Sequence, residues 1–77
     1  MAAVVIFFFK ADETPVQVVY AFGPSKKNLH RRMVIDKATY LAQPADGQAD
    51  VMFEGARVKI MRLVAQGQWP ERGVHAV

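Results

Sequence analysis

Apolar side chains crowd the start of the chain, where Ala3-Val4-Val5-Ile6-Phe7-Phe8-Phe9 runs unbroken into Lys10. β-branched and aromatic residues fit a pleated, half-buried surface, and the run is too short for a good helix, so it predicts a strand over 3–10. Asp12-Glu13-Thr14-Pro15 supplies turn residues, with the proline ring fixing its own φ and offering no N–H. Residues 16–22, Val-Gln-Val-Val-Tyr-Ala-Phe, read as a second strand. A connection this short predicts an antiparallel hairpin. Gly23-Pro24-Ser25 ends that strand, and the polar stretch through His30 reads as a loop or one helical turn. A third strand is predicted from about Arg31 through Met33-Val34-Ile35. It has room to continue across a bulge through Thr39-Tyr40-Leu41, before Gln43-Pro44-Ala45-Asp46-Gly47 breaks it.

The period then changes. From 50 to 66 the apolar positions Met52, Phe53, Ala56, Ile60, Leu63 and Val64 fall within an arc of about 120° on a helical projection. Asp50 suits the N-cap, Glu54 the first turn, and Gly67 the position just past the end. A strand over Ala56 to Leu63 is the competing reading, and the capping pattern decides against it. Trp69 is expected to fold its indole back against the helix end, and the tail 71–77 to be irregular or a short edge strand.

These elements predict an α+β fold in one domain spanning 1–77: a three-stranded antiparallel sheet on one C-terminal amphipathic helix, in the order β-β-β-α. An antiparallel sheet with one solvated face alternates apolar with polar residues. The first strand does not, since Val4, Ile6 and Phe8 oppose Val5, Phe7 and Phe9. One helix covers one face of such a sheet, and leaving large side chains bare forgoes about 1.5–3 kcal/mol each. Val4, Ile6, Phe8, Val19 and Val34 are therefore candidates for a helix-free face that packs on a second copy of the chain. In the competing arrangement the first strand is central and the tail folds underneath it.

Composition narrows the function classes. Of the 77 residues 52% are hydrophobic and none is cysteine, so disulfides and thiolate metal sites are excluded. A domain of this size buries only about 60% of its unfolded surface, which adds weight to association as a source of stability. The apolar run at the start is about half a membrane span. No basic segment precedes it and no cleavage site follows it, so a cytoplasmic protein with no membrane contact is expected.

The net charge of +3 is concentrated. Residues 26–37 hold Lys26, Lys27, Arg31, Arg32 and Lys37 against Asp36 alone, while the flanking regions are nearly balanced. Lys26, Lys27, His30, Arg31 and Arg32 are thus candidate contacts for phosphate or an acidic partner, and nucleic-acid binding is the alternative to self-association. Few basic residues neighbour the apolar sheet positions in the sequence, which favours the dry protein contact.

No catalytic or cofactor motif survives inspection. Gly23-Pro24-Ser25-Lys26-Lys27 lacks the second glycine of a phosphate loop. Ser25 and His30 have no orienting carboxylate in their vicinity. Asp12 and Glu13 sit in a turn where both are solvated, and His30 and His75 lack ligand spacing. A non-enzymatic interaction module without metal or cofactor is the expectation.

Overall fold

A computed structural model describes residues 5–76; Val4 lies outside the described residues. The chain forms β1 (Val5–Glu13), β2 (Gln17–Gly23), β3 (Arg31–Asp36), β4 (Ala42–Pro44), α1 (Val51–Val64) and β5 (Arg72–Ala76). The class is α+β, but the sheet has five strands rather than three, all antiparallel, in the order β4-β3-β2-β1-β5.

Both additional strands arise where local pattern is weakest. The third strand does not continue through Leu41. Asp36 Oδ1 accepts from the amides of Ala38 (2.8 Å) and Thr39 (3.1 Å), and the Asp36 carbonyl accepts from the Tyr40 amide. Side-chain acceptors of this kind draw the backbone out of a ladder. Tyr40 takes φ +61°, the chain reverses, and Ala42–Pro44 pairs back on β3 with Ile35 opposite Ala42. Pro44 is tolerated because β4 is an edge. At the other border, the tail is an ordered strand: Arg72–Ala76 pairs with β1 from Phe9 to Val5. It lengthens the sheet sideways instead of folding beneath it.

Helix α1 starts where the sequence predicts, with the Asp50 side chain accepting from the Phe53 amide, and it ends at Val64, two residues early. It lies against β1, β2 and β5. Phe53, Ala56 and Ile60 are its buried residues, and Met52, Met61, Leu63 and Val64 pack around them. The core beneath is Ile6, Phe8, Val18, Tyr20, Phe22, Met33 and Ile35. Phe8 meets Tyr20 edge-to-face at 5.9 Å between ring centres. Trp69 packs on the rim of this core and stacks on Tyr40, with ring centres 6.1 Å apart and planes 19° from parallel.

Candidate functional site

The strand register divides the candidate self-association residues between two faces. Phe8 is opposite Phe22, so Ile6 and Phe8 lie on the helix side, 0% and 1% exposed in the core. They are unavailable for a partner. Val19 and Val34 are cross-strand neighbours on the opposite face, both half-buried. Parity within each strand was readable from sequence; which face of one strand joins which face of the next depends on pairing, and the pairing was not.

The face opposite the helix consists of cross-strand rows. Val19, Val34 and Gln43 form one, and Phe7 with Val74 and Gly23 another. Between them runs Arg72–Phe9–Ala21–Arg32, one residue from each of β5, β1, β2 and β3. Ala21 is fully buried within it, whereas Phe9 is 43% exposed and Val74, in the adjacent row, 45%. At about 4.8 Å per strand, the two arginine Cα atoms are some 14 Å apart with the phenyl ring between them.

The connection between β2 and β3 rises along the same side. Its Asn28 carbonyl packs so closely on Gly23 that a Cβ there would meet it at 1.7 Å, and the Asn28 amide donates to the Ser25 carbonyl at 3.0 Å. Asn28 Oδ1 is buried without a hydrogen-bond partner among the described residues. Buried polar atoms in folded proteins are mostly hydrogen-bonded, so this acceptor stands out. Between this loop and β5 lies an open groove of about 760 Å³ whose lining includes Phe7, Phe9, Leu29 and Val74 together with Lys26 and Arg72.

The basic stretch does not act as one patch. Arg31 turns to the helix side, where its Nε is 3.0 Å from Asp46 and its Nη1 2.8 Å from Asp50, and its guanidinium lies 4.8 Å over the Phe22 ring. Burial works against the Arg31 charge, but the hydrogen bonds to Asp46 and Asp50 outweigh it and raise its pKa. Lys37 is 2.7 Å from Glu13, which also takes Lys10 at 2.6 Å. Lys26, Lys27, His30 and Arg32 are exposed. Among the described residues, no carboxylate pairs with Lys26, Lys27, Arg32 or Arg72. The acidic groups of this face, Asp12 beside Val19 and Asp36 beside Gln17, sit toward its other end.

Sequence reasoning offered a short edge strand in the tail 71–77 but could not give its partner, so it missed Arg72 beside Phe9. It missed the pairing of Arg32 with the Phe9 row because that row crosses four strands.

Among the described residues no three His, Cys, Asp or Glu side chains gather to hold a metal ion, and Ser25 and His30 share no hydrogen bond. His75, two residues from the end, is half-buried in β5, opposite Ile6 and beneath Gly55 of the helix. No described helix is long and apolar enough to cross a membrane. No protein-family model, curated protein or solved structure gives a significant match to the chain.

Proposed function

We propose that this protein is a small non-enzymatic binding module that takes single-stranded nucleic acid on the face of the sheet opposite the helix. The row Arg72–Phe9–Ala21–Arg32 carries the reading: an exposed aromatic ring between two arginines that no carboxylate neutralises among the described residues. Proteins that bind single strands combine cations tracking the backbone with aromatic rings on which bases stack. Lys26 and Lys27 extend the cationic end into the neighbouring loop. The sequence favoured a dry contact for want of basic residues near the apolar positions; the register supplies two.

Fluorescence anisotropy with labelled oligo(dT) and oligo(rU) of about 12 residues tests the reading. If Lys26, Lys27, Arg32 and Arg72 each neutralise a phosphate, affinity falls roughly 50-fold between about 50 and 200 mM salt. Replacing Arg32 and Arg72 together by Ala should flatten the logarithmic salt slope by about 1.4. Binding that ignores salt, or survives the double replacement unchanged, refutes it.

Self-association is the second reading, and one observation favours it. Phe7, Phe9, Val19, Val34 and Val74 share this face, and no described helix or strand covers them. A second copy docked with strands antiparallel would set the arginine end of one face over Asp12 and Asp36 of the other. Light scattering behind a sizing column would then give about twice 8.6 kDa. Phe9→Asp would halve that mass, and oligonucleotide binding would be absent.

A further inference from the structure

We infer that the groove between the 24–29 loop and β5 receives a single unstacked nucleobase, with the phosphates on either side of that nucleotide held by Lys26 and Arg72. The inference rests on the nucleic-acid reading above and gives it a mode of recognition. The groove is apolar where a base would lie and cationic where its linkages would leave. Phe9 lends the groove a side chain 43% exposed, and Leu29 from the loop and Val74 from β5 add to its apolar lining. Lys26 stands on the loop side and Arg72 on the strand side. An apolar slot with a cation on each side is complementary to a flat base between two negative charges, and less so to a peptide or an acyl chain. A volume of about 760 Å³ is within the usual range for a small-molecule site.

The slot is also fixed in advance. The close packing of Gly23 on the Asn28 carbonyl, and the Ser25–Asn28 bridge, hold the loop against the end of β2. A preformed wall lowers the ordering cost of binding. Bases within a duplex are stacked on both faces and unavailable to such a slot, so the groove selects single strands.

The decisive variant is Phe9→Ala, compared with Phe9→Tyr. Phe9 is nearly half exposed, so the variants are expected to fold. Base–aromatic stacking predicts that Phe9→Ala weakens oligo(dT) binding roughly tenfold and that Phe9→Tyr restores it. Inorganic polyphosphate, which has charge without bases, should bind both variants as it binds the wild type. Equal weakening of oligo(dT) and polyphosphate, or no weakening of either, overturns the base slot while leaving charge-driven binding standing. Absence of any binding by the wild type overturns both. A second measurement needs no variant: adenosine monophosphate should displace labelled oligo(dT) at concentrations where ribose 5-phosphate does not. Equal displacement by the two refutes the slot.

Discussion

Arg31 holds the residue that caps the helix: its Nη1 lies 2.8 Å from Asp50 Oδ2 while Asp50 Oδ1 accepts from the Phe53 amide at 3.0 Å. One side chain of β3 therefore ties the sheet to the start of α1, and through Asp46 and the Gln48 carbonyl it also orders the segment between them. Its side chain is only 17% exposed, so Arg31→Ala would remove its packing on the Phe22 ring and the guanidinium that ties the two exposed carboxylates, Asp46 and Asp50, to the sheet. A loss of about 1 kcal/mol is expected in urea denaturation, because water can hydrate both carboxylates once the guanidinium is gone. The adjacent Arg32→Ala, on the solvent side, should stay within about 0.5 kcal/mol. The two neighbours thus separate stability from binding.

Acid should unfold the protein through a small set of carboxylates. Glu13 is held down to about 2 by its hydrogen bonds to Lys10 and Lys37. Asp46 is lowered first by the Gln48 amide and then by Arg31, and Asp50 first by the Phe53 amide and then by Arg31. Carboxyl groups whose folded pKa is depressed bind fewer protons folded than unfolded, so their contribution is present above about pH 4 and fades as pH falls toward 2. Circular dichroism should show stability flat from neutrality to about pH 5, then falling between about 4 and 2. High salt should shrink this fall, since all three carboxylates lie near the surface.

The helix was legible because its apolar period, its Asp50 cap and its length agree with one another, and each survives without knowledge of the rest of the fold. The hairpin of β1 and β2 was legible for the same reason. What could not be read were relations between distant segments. Ile6 and Phe8 are as apolar as Phe7 and Phe9, and only the pairing of Phe8 with Phe22 and Gly73 decides which pair is core. The turn at 37–40 hid behind β-forming residues, Thr39, Tyr40 and Leu41, and the Asp36 side chain overrode their preference. The basic stretch was visible as charge, but not that Arg31 would be spent on the helix cap while Arg72 took its place beside Phe9. Side-chain alternation sends consecutive arginines to opposite faces, and one of the two candidates had to leave the site.

Tyr20 links the middle of the sheet to the segment after the helix, its hydroxyl donating to the Pro70 carbonyl at 2.6 Å. Burial, with the nearby charges of Glu13 and Glu71 adding to it, raises the Tyr20 pKa well above the usual phenol range. The neutral form is thus favoured in the folded state, so its contribution is intact below about pH 10 and is lost as pH rises beyond it. Tyr20→Phe keeps the ring packing on Phe8 but leaves the carbonyl without its donor. A loss of about 1 kcal/mol is expected in urea denaturation, together with a smaller loss of stability above about pH 10 than the wild type shows.

Gly23 fixes the loop wall, and its replacement tests whether the wall matters for binding independently of charge. A Cβ at this position would lie 1.7 Å from the Asn28 carbonyl oxygen and 2.8 Å from its carbon, both backbone atoms that cannot rotate away. Gly23→Ala must therefore push the 24–29 loop outward, at a cost of about 1–3 kcal/mol for the overpacking. Lys26 and Leu29 would move with it, widening the groove over Phe9 without altering any charge. Oligo(dT) affinity should drop while polyphosphate affinity is largely kept. Gly47→Ala is the matched control: φ is +76° there, so alanine is strained by about 1 kcal/mol, but nothing lies within 4 Å of the added carbon and the groove is untouched. It should lose stability and keep both affinities. If the two variants lose oligonucleotide binding alike, global stability rather than the wall accounts for the loss, and the preformed slot is refuted.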